Sequence, residues 1–124
     1  MSVPTSDPSY VFCSVPEDQR FADPRIIASF CEPEGTTAIV EESLARERTW
    51  TSVFVAAWIT LDVHSDLESV GLTAAVATES AKAGISCNMM AAVYHDRLFV
   101  PVERAEDAIA VLKAMSDRYR QQLA

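Results

Sequence analysis

From Val53 onward the hydrophobic periodicity changes in an order that few folds accommodate. Val53, Val55, Ala57, Ile59, Leu61 and Val63 alternate to give one wholly apolar face, as a strand requires. The opposite face begins apolar at Phe54, Ala56 and Trp58. It turns polar at Thr60, Asp62 and His64, so the strand leaves the core at its C-terminal end. Val70–Ala83 is rich in alanine and reads as a helix, with Gly84 placed as its C′ stop. Ile85–Val93 alternates again as a strand. Leu98–Val102 is its hairpin partner across the short, turn-like Tyr94-His95-Asp96-Arg97. From about Arg104 to about Gln121, Ala105, Ala108, Ile109, Leu112, Met115 and Tyr119 recur at the spacing of an amphipathic helix.

Strand, helix, strand, strand, helix makes five of the six elements of a βαββαβ, ferredoxin-like unit. No final strand follows, so the first half of the chain, or another subunit, has to cover the open sheet edge. The first half is suited to this. Tyr10–Val15 is aromatic and β-branched and stops at Pro16, which predicts a strand. Glu17–Arg25 is charged and reads as a loop. Ile26–Cys31 and Thr36–Glu41 form a hairpin across Glu32-Pro33-Glu34-Gly35, where the proline and glycine positions suit a type I turn. Ser43–Arg48 is a short helix with Ser43 as its cap. The expected class is α+β, with a flexible N-terminus (1–9), a first half (10–52) and a second half (53–124).

Bulk properties narrow the function. With 124 residues the chain suits one core, and 49% apolar residues mark it as globular. Eighteen acidic against ten basic residues leave a net charge of −8, and the arginines are scattered. Phosphate backbones and anionic membranes demand clustered bases, so neither is an expected partner. Cys13, Cys31 and Cys87 contain no CxxC pair and sit in strand-like stretches, as buried free thiols would. No basic, apolar leader precedes Arg20, and the longest apolar run, Val53–Ile59, is far shorter than a bilayer span. The expected location is the cytoplasm.

Three stretches carry a family resemblance. They are His64-Ser65-Asp66-Leu67-Glu68-Ser69-Val70-Gly71-Leu72-Thr73-Ala74-Ala75, then Ala83-Gly84-Ile85-Ser86-Cys87-Asn88, then Tyr94-His95-Asp96-Arg97-Leu98-Phe99-Val100-Pro101. Together with Tyr10–Pro16 and the Glu-Pro-Glu-Gly hairpin, they resemble the small bacterial ACT-domain proteins grouped with the animal arginine sensor of the TOR pathway. The resemblance implies two ACT-like halves in tandem, the first degenerate. It also implies a regulatory role in which an amino acid or similar small ligand is bound. Asp66, Arg97 and Met89-Met90 depart from the family pattern.

The chemistry of these residues agrees with that implication. A zwitterion needs donors for its carboxylate and an acceptor for its ammonium. Val70, Gly71, Leu72 and Thr73 fall at a helix start, where free backbone N–H groups and the helix dipole attract an anion. Asp96, whose counterpart in the arginine sensor touches ligand, offers the acceptor. Ser65 and Asn88 add polar contacts. Plainer roles stand beside these: Gly71 relieving helix–sheet crowding, Asp96 serving a turn, Asn88 satisfying a backbone group, Ser65-Asp66 capping the next turn. No catalytic, metal or cofactor site is expected: His64 and His95 lack ligand spacing, and no nucleophile elbow or phosphate loop occurs. The chain is expected to be a non-enzymatic sensor, homo-oligomeric (a dimer), acting on a regulated protein partner. The alternative is a ligand-free assembly module of the same fold.

Overall fold

The computed structural model describes residues 9–19, 23–61 and 71–123, with side chains as far as Arg118 in the last helix. The chain divides into two compact units, Ser6–Ala56 and Ala57–Ala124.

The first unit contains β1 (Tyr10–Val15), a single 3-10 turn (Glu17–Gln19), β2 (Ala28–Glu32), β3 (Gly35–Glu41), α1 (Glu42–Arg48) and the beginning of β4 (Thr51–Leu61). Its sheet order is β2-β3-β1-β4, with antiparallel pairing throughout. That is the order of a βαββαβ unit in which, among the described residues, a single 3-10 turn stands in the place of the first helix, as the degenerate half implied by the resemblance would have. Alternation sends Val11, Cys13, Val15, Ala38 and Val40 to one face, where they pack with Leu44, Ala45 and Trp50. Burial raises the pKa of the Cys13 thiol, which disfavours its reactive thiolate. Cys31 is exposed and Cys87 half-buried, so the expectation of three buried thiols holds only for Cys13. Cys31 escapes because β2 lies at the sheet edge.

Two local expectations are corrected here. Phe12 pairs with Phe54 and Cys13 with Ser52, so Val53 is an extra residue on β4. This β-bulge leaves Val53 79% exposed and breaks the wholly apolar face read from strict alternation. Ser43 is not the cap of α1. Glu41 holds that position in extended conformation, no side chain caps it, and Ser43 lies inside the first turn.

The other end of α1 closes on Thr49, whose φ of 57° is left-handed. Thr49 N–H donates to Arg46 O at 3.2 Å, and Trp50 N–H to Ala45 O at 2.9 Å. A β-branched residue is disfavoured in this conformation and glycine is not. Thr49→Gly is therefore expected to stabilise the fold by about 0.5–1 kcal/mol. Denaturant unfolding checks this; a lower midpoint would contradict it.

An ionic clamp ties the segment before β2 to α1. The Asp23 side chain, 3% exposed, accepts from Arg25 Nε (2.9 Å), Arg25 Nη2 (2.6 Å), the Arg25 backbone N–H (2.9 Å) and Arg48 Nη2 (3.1 Å). Arg25 Nη2 also reaches Glu47 Oε2 at 2.8 Å. The Arg25 side-chain hydrogen bonds, then its backbone bond, hold the Asp23 pKa well below the ordinary 3.8. The Arg25 hydrogen bond likewise lowers Glu47 from 4.5. Folded values below unfolded ones mean that the unfolded chain binds more protons in acid. The clamp's contribution is therefore complete above about pH 4.5 and is lost as pH falls through the folded values. Asp23→Asn is expected to unfold at lower denaturant than wild type at pH 7, with the gap beginning to narrow as pH falls below about 4. A gap of constant size would refute the clamp.

The second unit runs from the end of β4 through α2 (Gly71–Lys82), β5 (Asn88–Met90), β6 (Asp96–Pro101), a 3-10 turn (Val102–Arg104) and α3 (Ala105–Leu123). Its sheet order is β4-β6-β5. Ile59 and Leu61 of β4, Leu98 and Val100 of β6, Leu72 and Val76 of α2, Ile85, and Ala108 and Leu112 of α3 form its core. Gly84 ends α2 as expected, with φ 72° and Ile85 N–H donating to Ser80 O at 2.9 Å. Arg104 supports that end, reaching Ala83 O at 3.2 Å and Gly84 O at 3.3 Å.

The β5–β6 hairpin differs from the sequence reading. β5 spans three residues only, and Asp96 and Arg97 open β6 instead of forming the turn. The connection falls on residues 91–95, where Val93 and Tyr94 are 90% and 85% exposed. Alternating apolar residues suggested a longer strand, but with these side chains in solvent no partner extends the ladder.

Candidate functional site

The entrance to α2 is built by a small set of forces. Ala74, Ala75 and Ala77 favour helix, and Leu72, Val76 and Ser80 turn inward. Gly71 and Thr73 are left exposed at the start. A Cβ added at Gly71 would meet nothing within 4 Å, and its φ is not left-handed. Neither crowding nor backbone strain therefore requires glycine at this position. The first helical N–H groups have no intrahelical acceptor, and without a side chain at Gly71 an anion can approach them closely.

Asp96 lies at the same end of the second unit. Arg104 follows β6 and touches the carbonyls at the C-terminus of α2, so that terminus sits beyond the Pro101 end of β6. A twelve-residue helix extends about 18 Å. It therefore begins toward the opposite end of β6, which is Asp96. Asp96 alternates in phase with Leu98 and Val100, the core residues on the helix side, and is half-buried.

Asn88 does not join this group. It pairs with Phe99, and Met89 pairs with Leu98. Paired residues share a face, so Asn88 lies on the face turned away from the helices while Asp96 lies on the helix side. Leu72 is buried, so its backbone amide alone can serve a ligand there. Ser65 and Val70 lie outside the described residues, as do His64 and Asp66. Gly71, Thr73 and the Leu72 amide at the start of α2 thus lie toward the same end of the unit as Asp96.

Sequence reasoning overlooked the surroundings of Arg97. Its guanidinium stands 5.2 Å from the centre of the Trp58 ring, and Trp58 lies 5.9 Å from Phe99. The signal was present in the alternation of Leu98-Phe99-Val100, read one residue further back. Elsewhere in the unit an open cleft of about 590 Å³ separates α2 from α3. It is lined by Ala74, Ala75, Thr78, Met115 and the charged Glu79, Lys82 and Arg118. Glu79 pairs with both Lys82 (3.3 Å) and Arg118, which occupies its charge internally. Among the described residues no group of three or more His, Cys, Asp or Glu side chains could hold a metal, and no helix is long and apolar enough to cross a membrane.

Two family models, both described as ACT domain, match this chain, one over residues 1–57 and the other over residues 53–114. Among solved structures, it is similar to a protein of unknown function from Vibrio cholerae titled a "possible transport protein". The two share 42% identity and a TM-score of 0.78, over 88% of this chain and 84% of that one. A comparison with curated proteins returned no match. The second match spans the α2 entrance and Asp96 together, and the first covers the half in which a 3-10 turn stands in the place of the leading helix. The chain therefore belongs to the ACT-domain family, as two ACT domains in tandem.

Proposed function

We propose that this protein is a stand-alone, non-enzymatic ACT-type sensor that takes an amino acid or similar zwitterion at the entrance to α2. ACT domains are typically regulatory ligand-binding modules. The carrying observation is the open start of α2 at Gly71, at the same end of the unit as the half-buried Asp96. The ligand carboxylate would take the backbone donors of the first turn, and the ammonium would take Asp96. Charge-assisted hydrogen bonds of this kind contribute about 1.5–3 kcal/mol each. Occupancy would change contacts with a regulated protein. The narrower grouping with the animal arginine sensor rests on the sequence stretches quoted above and places arginine first among the ligands to test.

The test is thermal unfolding against the twenty amino acids. A ligand at one hundred times its Kd adds about 2.7 kcal/mol of stability. Asp96→Asn is expected to abolish that gain. Gly71→Ala is expected to weaken it while leaving the free protein's stability nearly unchanged, since the added methyl meets open space. No gain with any amino acid at millimolar concentration would defeat the proposal.

A second reading, a ligand-free assembly module, is favoured by one feature. β2 is an edge strand, and its Phe30 is 58% exposed. Unpaired edges with exposed apolar residues join other chains readily. A dimer in light scattering that Phe30→Glu dissociates, with no amino-acid response, would select this reading.

A further inference from the structure

The second unit carries an arginine that the zwitterion site does not use. Arg97 pairs in register with Met90, and Phe99 with Asn88. All four therefore lie on one face of the sheet, the face turned away from α2 and α3. Trp58 joins them through its ring contacts to Arg97 and Phe99. The Arg97 guanidinium is fixed from two sides. It stacks over Trp58 at 5.2 Å, and its Nη1 donates to His95 O at 3.2 Å. A guanidinium has five N–H donors, and that bond uses one.

The charge environment makes this unusual. The chain has eighteen acids and ten bases, so carboxylates are plentiful. Arg25, Arg46, Arg48, Arg104 and Arg118 each have a carboxylate within ion-pair distance. Among the described arginine side chains, Arg97 alone has none. Stacking on an aromatic ring holds a guanidinium flat while leaving its N–H edge available for an oxyanion in bidentate geometry. On the same face, across β6 from Trp58, β5 presents the half-buried Met90, an apolar and adaptable surface opposite Arg97, and the exposed amide of Asn88 opposite Phe99.

We propose that Arg97, Trp58, Met90 and Asn88 form a second small-molecule site, for an oxyanion carried on a flat apolar ring. The oxyanion takes the free edge of Arg97 and the Asn88 amide. The ring lies against the half-buried Met90 and Trp58. Because Arg97 and Asp96 point to opposite faces of β6, this site is independent of the zwitterion reading and stands or falls without it.

The experiment is a titration of the full-length protein, followed by the indole N–H resonance of Trp58. Benzoate and phenyl phosphate serve as probes, with inorganic phosphate as the ring-free comparison. Saturable movement of the Trp58 signal with benzoate or phenyl phosphate is expected, at least tenfold weaker in Arg97→Gln and little changed in Asp96→Asn. Response to benzoate alone assigns carboxylates, and response to phenyl phosphate alone assigns phosphate esters. No movement with either ring-bearing probe in the wild-type protein overturns the proposal. So does equal binding by Arg97→Gln, or inorganic phosphate binding as tightly as phenyl phosphate. A Trp58 signal that shifts with protein concentration alone would give the arginine to a carboxylate of a second copy, and would equally overturn it.

Discussion

Leu112→Ala is expected to lower the unfolding free energy by about 3 kcal/mol, inside the ~2–5 kcal/mol range for buried leucines. Leu112 is 1% exposed and holds α3 against a cluster containing Ile59 and Leu61 of β4, Leu98 and Val100 of β6, and Leu72 and Val76 of α2. Ala108, one turn earlier, is already small, so the helix has no larger neighbour there to fill the space. The lost transfer energy and the cavity add, and domains of this size have only about 5–15 kcal/mol in total. Leu112→Met, which nearly conserves volume, should cost less than about 1.5 kcal/mol. Equal losses for the two substitutions in urea unfolding would show that packing at Leu112 is not what holds α3.

Trp50→Ala is expected to cost as much or more, about 3–5 kcal/mol. The Trp50 side chain performs two tasks, and its backbone a third. The ring, 6% exposed in the residue as a whole, packs into the cluster of Val11, Cys13, Val15, Ala38 and Val40. Its Nε1–H donates to Gln19 Oε1 at 2.8 Å, anchoring the 3-10 turn that stands in the place of the first helix. Its backbone N–H closes the end of α1 on Ala45 O. The substitution removes the first two and keeps the third. Trp50→Phe keeps most of the ring and loses the indole hydrogen bond, so it should cost about 1 kcal/mol plus a packing change. A loss below about 1 kcal/mol for Trp50→Ala would mean the first unit does not depend on this side chain.

How far such features could be read in advance depended on whether they were local. β1 falls on Tyr10–Val15 as its aromatic and β-branched run suggested, and Gly84 ends α2 because a left-handed residue is a purely local need. The ACT fold was legible because the stretches around Gly71 and Asp96 are long and ungapped. The bulge at Val53 was not legible: it arises from the register of β4 against β1, forty residues away in sequence, and alternation cannot register an extra residue. Asn88 was placed with Asp96 because both are polar and near one hairpin. Which face each occupies depends on pairing, and the hairpin connection falls earlier than expected, on residues 91–95, which leaves Asp96 and Arg97 in β6. The Asp23 clamp joins residues about twenty-five apart through side chains alone, and no periodicity marks it. At the candidate site the chemistry of single residues was readable, whereas their convergence required coordinates.

The eleven residues of β4 serve as the last strand of one ACT domain and the first of the next. Gene rearrangement has no clean place to act on such a chain. A crossover on either side of this segment, or within it, leaves one repeat a strand short, with unsatisfied backbone amides along its border. Each repeat therefore depends on this one segment to complete its own sheet.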